Sequence, residues 1–210
     1  MGIGESMKVA LSLDDFSVVN NRLDLLLKLK EHFPNFKVSL FTVVIDEKKD
    51  WGPSLVRDDF LKEIKKNLDW LQIIPHALTH NGSEVAGMDY QNFKFFIARM
   101  RLAFERDELP FVNGFKAPHW RWNEDIVRAL DDEGWWGAVD RNKAMPKPKS
   151  FYQYNFPLNE PFYESKQDVL KLHGHAYGTQ NDLGRCFGNL LRLDASTEFS
   201  FVTEHLESQE

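Results

Sequence analysis

The sequence predicts an α/β fold in a single domain, and three observations lead to this prediction. Short apolar runs with the length of strands alternate along the chain with longer amphipathic segments of helical spacing. Such alternation favours parallel strands joined by helical crossovers. The 210 residues suit one domain with a sizeable core, and about seven strands in one domain indicate a (β/α) barrel, closed or incomplete.

Seven segments have the length and composition of strands. The second of them, KVSLFTVVI, is rich in β-branched residues, which are common in strands. Residues 141–166 are rich in proline, lysine and aromatic residues without a clear period, so we predict a loop with at most one strand there. The predicted strands cover residues 8–14, 37–45, 71–75, 111–117, 135–139, 169–173 and 199–202.

Five segments carry apolar residues at helical spacing. The third is the most regular, with one apolar stripe between Phe93 and Phe104 and with Asp89 placed to cap its N-terminus. Asn123 can cap the fourth helix, and Gly134 is expected to end it. The predicted helices cover residues 19–33, a segment after Pro53 that is marked by Leu61, Ile64 and Leu68, and residues 89–104, 123–134 and 182–193.

The composition narrows the choice of partners and location. The net charge is -6 with basic and acidic residues interleaved, which argues against nucleic acid as a partner. No apolar stretch is long enough for a transmembrane helix, so we expect no membrane partner. The single cysteine, Cys186, cannot form an internal disulfide, which favours a cytoplasmic location. We expect a flexible extension over residues 1–7, the domain over 8–206 and a tail over 207–210.

Ionisable residues follow the ends of several predicted strands. They are Asp14, His76, Lys116, Asp140 and His173. Because functional sites of parallel α/β folds gather at the carboxyl ends of the strands, these side chains form one potential ring.

A pair of carboxylates and a pair of histidines predict a metal site. His76 and His80 are four residues apart and can share one face of a helical turn. With one of the adjacent carboxylates Asp14 and Asp15 they offer an Asp-His-His ligand set, while the other carboxylate can act as a base. For both carboxylates to face one metal, the chain must leave strand geometry there. The alternatives are a helix-capping aspartate and two hydrogen-bonded loop histidines.

Five segments resemble the motifs of one family, in matching order. Ser12-Leu13-Asp14-Asp15-Phe16 resembles Thr-Phe-Asp-Asp-Gly, and the segment 76–80 resembles His-Ser/Thr-x-x-His. Lys116-Ala117-Pro118-His119 resembles Arg-x-Pro-Tyr, residues 169–173 resemble a closing strand that ends in histidine, and residues 198–203 resemble the last strand. These motifs are those of the polysaccharide deacetylases of carbohydrate esterase family 4, which have a NodB-type homology domain. The resemblance spans residues 8 to about 206 and implies a distorted (β/α) barrel of about seven mostly parallel strands.

The resemblance also implies a metal centre and a reaction. Asp15, His76 and His80 would hold one divalent ion, with zinc as the first expectation and cobalt, nickel or iron also suited to nitrogen and oxygen ligands. Asp14 would be the general base for the attacking water. The general acid would be His173, with His175 as the alternative because a continuing strand points both side chains to the same face. The reaction implied is the hydrolysis of an N-acetyl group on an amino sugar.

Other positions depart from the family pattern or match it loosely. Phe16 replaces a glycine, and Lys116 replaces an arginine, so that the charge beside Asp14 is kept without the bidentate fork. His119 replaces a tyrosine, and its backbone N–H would donate to the oxyanion. Asp140 is the nearest match to a fourth motif and would orient the acid, with an ordinary surface ion pair as the alternative.

Three aromatic residues are candidates for binding the substrate. Trp120, Trp122 and Tyr177 flank the predicted mouth and could stack on a sugar, with local packing as the alternative. The expected substrate is a small molecule or an oligosaccharide. Two other functions use the same barrel, namely a metal-dependent amidase acting on a non-sugar C–N bond and a catalytically silent carbohydrate-binding protein.

Overall fold

A computed structural model of the protein describes residues 7–44, 54–80 and 84–209 and has the mixed α/β architecture that the sequence predicts. Residues 1–6 of the predicted extension and Ile45, the predicted end of the second strand, lie outside the described residues. The helices are α1 (Leu23–His32), α2 (Ser54–Lys66), α3 (Tyr90–Arg106), α4 (Glu124–Asp132) and α5 (Leu183–Leu190). The strands are β1 (Lys8–Phe16), β2 (Val38–Val43), β3 (Leu71–Ala77), β4 (Gly114–Phe115), β5 (Trp136–Val139), β6 (Ser150–Gln153), β7 (Phe156–Pro157), β8 (Val169–His175), β9 (Glu198–Ser200) and β10 (Glu207–Ser208).

The strands form two sheets that are almost entirely parallel. The larger sheet has the order β3-β2-β1-β8-β7, and β9 pairs with the first residues of β1. The smaller sheet has the order β10-β6-β5-β4, in which the pairing of β10 with β6 is antiparallel. Strand β1 is central to the larger sheet and is buried along nearly its whole length, which fixes the position of the residues at its carboxyl end.

The two sheets curve around one interior without a continuous ladder between them. On one side the backbone N–H of Val112 donates to the carbonyl of Ile73 at 3.0 Å, and on the other side the N–H of Asn155 donates to Lys171 at 2.9 Å. Side chains from both sheets, among them Phe41, Ile74 and Trp136, pack into one buried cluster between them. The arrangement is a distorted and incompletely closed barrel, which confirms the predicted fold class.

Several element boundaries follow from local chemistry. Asp89 and Asn123 cap α3 and α4 by accepting the N–H groups of Asn92 and Ile126, as the sequence predicts. Helix α1 begins at Leu23 and not at residue 19, because the preceding residues form a turn and the Asn21 side chain accepts the N–H of Leu23 at 3.1 Å. The third helix therefore matches its prediction closely, whereas the first is shorter.

Three regions differ from the sequence-based expectation. The predicted strand 111–117 is regular only at β4, since its flanking N–H groups bond across to β3. Residues 141–166, expected to hold one strand at most, contain β6 and β7. The segment expected to be a tail contains β10, which pairs with β6. Within the described part of the chain, no helix is long and apolar enough to cross a membrane.

Candidate active site

The carboxyl ends of β1, β3 and β8 open into a cleft of about 390 Å³. This is the location where parallel α/β folds place their sites. The turn that follows β4 completes the wall of the cleft. The cleft is lined by eight of the residues that the sequence singles out, namely Asp14, Asp15, His76, His80, Lys116, His119, Trp120 and His175.

Two irregularities in strand pairing turn the candidate ligands into this cleft. Between β1 and β2 the register moves from Leu13 opposite Leu40 to Phe16 opposite Thr42, so β1 has one residue more than its partner around Asp15. Asp15 itself has the left-handed φ of 59°. Between β2 and β3 the extra residue is His76. Bulges of this kind re-aim a side chain, and here they allow adjacent aspartates to share one cleft.

Asp15, His76 and His80 form a compact set of candidate metal ligands. The Oδ1 atom of Asp15 lies 3.1 Å from Nε2 of His76 and 2.8 Å from Nε2 of His80. The Nδ1 atom of His76 lies 2.7 Å from the carbonyl oxygen of Lys116, which assigns the ring proton to Nδ1 and leaves the lone pair of Nε2 toward Asp15. One ligand atom from each residue lies within 4.8 Å of the others, so the set fits a single ion.

The protonation states of two of these residues suit metal binding. Burial acts to raise the pKa of Asp15, but its bonds to the two histidines outweigh burial and hold that pKa well below the ordinary range. Burial and the nearby charge of Lys116 lower the pKa of His76, which keeps the ring neutral. An ionised carboxylate and a neutral imidazole are the forms that ligate a divalent ion.

Glu84 holds the turn that carries His80, and the sequence analysis did not identify it. Its carboxylate accepts the backbone N–H groups of Thr79 at 3.0 Å and His80 at 3.2 Å, and also the Thr79 hydroxyl at 3.1 Å. His80 has a left-handed φ of 56°, and these bonds stabilise it in that conformation. The only signal in the sequence was an acidic residue four positions after His80.

Asp14 lies beside this ligand set in a different environment. Its side chain is fully buried, and Oδ2 forms an ion pair with Nζ of Lys116. Burial acts to raise the pKa of Asp14, yet the charge of Lys116 outweighs burial and lowers it. The other oxygen, Oδ1, has no hydrogen-bond partner within the described part of the chain. Asp14 is therefore an ionised carboxylate with one acceptor oxygen left over.

The two candidate acids differ in their access to the cleft. In the pairing of β1 with β8, Asp14 lies opposite His175, whereas His173 lies two residues deeper, opposite Ser12. Burial lowers the pKa of His173 to about 3, so that ring is neutral at neutral pH. His175 lines the cleft, and its Nδ1 lies 2.8 Å from Oδ1 of Asn181. The Nε2 atoms of His173 and His175 lie 3.7 and 3.9 Å from Oδ2 of Asp14.

Lys116 and Trp120 form the floor and one wall of the cleft. The Lys116 ammonium lies 4.0 Å from the centroid of the Trp120 ring, a distance at which the ring face attracts a cation. Trp120 also packs edge-on against His173, at 5.3 Å between centroids. One face of this ring is therefore covered by protein side chains.

Besides the deeper His173, three of the predicted residues lie outside the cleft lining. Trp122 stacks with Phe115, and its indole N–H donates to the carbonyl of Pro146 at 2.9 Å, so it packs locally. Tyr177 is exposed and lies outside the lining. Asp140 accepts the Tyr154 hydroxyl at 3.4 Å, and the Tyr154 ring packs on His173 at 4.8 Å, so Asp140 reaches His173 only through Tyr154.

Strained backbone is concentrated around the cleft. The described residues include six non-glycine residues with positive φ, and four of them, Asp15, His80, His119 and Trp120, line the cleft. Such conformations cost roughly 1 to 3 kcal/mol each and tend to cluster at functional sites. The cluster makes this edge of the barrel the candidate functional edge.

Comparison with solved structures places the fold. A chitin deacetylase from Colletotrichum lindemuthianum matches with a TM-score of 0.62 at 13% identity, covering 98% of this chain and 90% of that one. A family 4 acetyl xylan esterase from Clostridium thermocellum, solved with a cobalt ion, matches with 0.60 at 16% identity, covering 94% and 89%. A family 4 pseudoenzyme from Bacillus anthracis matches with 0.56 at 12% identity, covering 95% and 71%. No protein-family model and no curated protein sequence matches the chain. The chain therefore has the fold of the polysaccharide deacetylases of carbohydrate esterase family 4.

Proposed function

We propose that the protein is a divalent-metal-dependent hydrolase that removes an N-acetyl group from an amino sugar or a related small carbohydrate. One observation carries the proposal. The Asp15–His76–His80 set, the free Oδ1 of Asp14 and the ring of His175 converge on a single cleft. A ligand set, a base and an acid in one place are what metal-assisted hydrolysis requires.

Asp15, His76 and His80 are the proposed ligands of one ion. Two nitrogens and one oxygen suit zinc first, and also cobalt, nickel or iron. The ion supplies the Lewis acidity that makes water nucleophilic near neutral pH. The cobalt in the Clostridium thermocellum esterase structure supports a divalent ion in this fold.

Asp14 is the proposed base. Lys116 pairs with Oδ2, and Oδ1, which has no partner among the described residues, can accept the proton of the attacking water. Lys116 keeps the carboxylate ionised and fixes its orientation. The backbone N–H of His119, at the edge of the cleft, is the proposed donor to the oxyanion.

For the acid we propose His175 in preference to His173. The proton on Nδ1 is assigned by the Asn181 side chain, so Nε2 is the atom that exchanges a proton in the cleft. The proton that Asp14 accepts can pass to Nε2 of His175 and from there to the departing amine. His173 does not line the cleft, and its pKa of about 3 leaves it without a proton to give. Its role is to pack beneath Asp14.

The size of the cleft supports a small substrate. Small-molecule sites usually measure roughly 300 to 1,000 Å³, and a cleft of about 390 Å³ is near the lower limit. A monosaccharide or a short oligosaccharide fits this volume. The lone cysteine supports a cytoplasmic location as part of the same proposal.

Metal content and acetate release test the proposal together. Protein purified without a nickel column should contain about one divalent ion per chain, and the His76→Ala/His80→Ala variant should lose it. With the ion bound, the wild type should release acetate from N-acetylated sugars, and His175→Ala should slow release by about a hundredfold or more, against a smaller effect of His173→Ala.

Three outcomes would contradict the proposal. A wild type that binds no zinc or cobalt would leave the likeness to deacetylases as one of fold alone. A metal-loaded protein that binds sugars without releasing acetate would be the catalytically silent binder. Two observations favour that alternative, namely Lys116 in place of arginine and the similarity to the Bacillus anthracis pseudoenzyme. Release of product from formamides or cyclic amides alone would favour the amidase.

A further inference from the structure

The cleft is rich in positive charge although the protein as a whole is acidic. The chain has 26 basic against 32 acidic residues, yet the cleft is lined by three basic side chains, Lys116, Arg121 and Lys143, against Asp14 and Asp15. Lys116 neutralises Asp14, and a divalent ion would more than neutralise Asp15. Among the described residues of the lining, Arg121 and Lys143 are therefore left without an acidic counterpart.

Both cations lie against the turn that follows β4, Arg121 directly after it in sequence and Lys143 in the loop after β5. The ammonium of Lys143 donates to the carbonyl of His119 at 3.2 Å, and the His119 ring lies 5.6 Å from that of the candidate ligand His80, centroid to centroid. Arg121 directly follows this turn and is exposed, and it has no ion pair with any residue that the structure describes. Within the described part of the chain, neither cation forms a salt bridge.

Unpaired cations beside a divalent ion repel it and one another. At a partly exposed site this repulsion lowers the local stability and attracts a counter-charge from solution. A substrate with a negative group would remove the repulsion, since its anion would lie at the mouth while its acyl group lies over the ligand set.

We propose that the substrate carries a negatively charged group, a phosphate or a carboxylate, and that Arg121 and Lys143 bind it. This inference rests on the proposed function because it names the substrate class for the same cleft. The expected substrate is thus an amino-sugar phosphate or an acidic amino sugar, in contrast to the neutral polymers in the names of the structural neighbours.

The test measures the binding of deacetylated sugars, which the protein cannot turn over. Glucosamine, glucosamine 6-phosphate and muramic acid are titrated into the metal-loaded wild type, and the two anionic ligands separate phosphate from carboxylate recognition. At least one of them should bind about tenfold more tightly than glucosamine, with a preference that weakens as salt is added. Arg121→Gln/Lys143→Gln should reduce the preference to nearly one.

The control variant is Lys28→Gln/Arg99→Gln, which removes the same charge from exposed positions on α1 and α3 outside the cleft lining. It should keep the preference. Three results would overturn the inference. They are equal binding of all three sugars, no binding of either anionic ligand, and a preference for the anionic ligand that is kept in Arg121→Gln/Lys143→Gln.

A parallel measurement of acetate release keeps the two proposals apart. Acetate release from N-acetylglucosamine without any preference for the anionic sugars would leave the deacetylase standing and overturn the anion site. A clear anion preference without acetate release from N-acetylglucosamine 6-phosphate or N-acetylmuramic acid would support the anion site and contradict the deacetylase.

Discussion

Asp14 and Asp15 are adjacent in sequence and lie in the same cleft, yet the protein gives them opposite surroundings. Asp14 is fully buried and has the ammonium of Lys116 as an internal counter-charge. Asp15 is partly exposed and lies between two imidazoles, one of which is held neutral by burial. Each aspartate is close to two histidines, so the histidines alone do not distinguish them.

The difference lies in where the compensating charge comes from. A buried carboxylate needs a cation, and Asp14 already has one within the protein, so a metal ion beside it would meet the repulsion of Lys116. Asp15 lies against His76 and His80 and has no lysine or arginine partner among the described residues, so an external ion would supply its main counter-charge. This difference in counter-charge is the reason for proposing Asp14 as the base and Asp15 as a metal ligand.

The largest expected effect separates the two aspartates by substitution. Asp15→Asn should weaken metal binding by at least about a hundredfold, because it removes the charge of a proposed ligand. Asp14→Asn should keep the metal and slow acetate release by about a hundredfold or more, because it removes the base. Metal titration and acetate release measure both.

The comparison fails if Asp14→Asn loses the metal as fully as Asp15→Asn does. Because Asp14→Asn leaves Lys116 without its carboxylate, the Asp14→Asn/Lys116→Met variant provides a second test on a protein without a buried unpaired cation. Circular dichroism should show that each variant is folded before its metal content is interpreted.

A smaller effect concerns stability. Lys116→Met should lower the free energy of unfolding by about 3 to 5 kcal/mol, because Asp14 would remain as a buried unpaired charge. Asp14→Leu/Lys116→Met should recover most of this loss. Urea denaturation of the metal-free protein provides the measurement. Lys65→Met breaks an exposed pair with Glu108 and should change stability by less than about 1 kcal/mol. If Lys116→Met and Lys65→Met lowered the free energy of unfolding equally, the buried ion pair would contribute no more to stability than an exposed one.

The smallest effect concerns pH. The pKa of His173 is lowered to about 3 in the folded protein, so only the unfolded chain takes up this proton as the pH falls below about 6.5. The stabilisation from the neutral ring is therefore present above that pH and is lost toward pH 3. When the pH is lowered from 7 to 5.5, the free energy of unfolding of the metal-free wild type should fall by about 1 kcal/mol more than that of His173→Asn. Parallel stability curves in urea would contradict this.

Much of the fold was predictable because it depends on short-range patterns. The caps at Asp89 and Asn123 and the stripe of α3 are local features that tertiary contacts reinforce. The irregular stretch around β4 was not predictable, since its N–H groups bond to another strand that the local sequence does not specify. Strands β6 and β7 within residues 141–166 were not predictable either, because that segment has no clear period in its sequence.

The site was predictable in its residue types and less so in its geometry. The proximity of His76 and His80 to the aspartate pair was predictable, because both pairs follow strand ends and these ends meet at one edge of a parallel sheet. The position of His175 opposite Asp14 depends on the register between β1 and β8, which one strand alone does not encode. Trp122 and Tyr177 illustrate the same limit, since the surroundings of an aromatic ring are set by distant parts of the chain.

The extra residues in β1 and β3 make the chemistry of this edge depend on chain length as well as on residue type. A point substitution at Asp15 or His76 would remove one proposed ligand and should keep the strand pairing observed here. Deleting one of these residues would restore an unbroken ladder and reverse the facing of every side chain between the deletion and the end of the strand. A single-residue deletion here should therefore disperse the proposed site while it removes only one side chain.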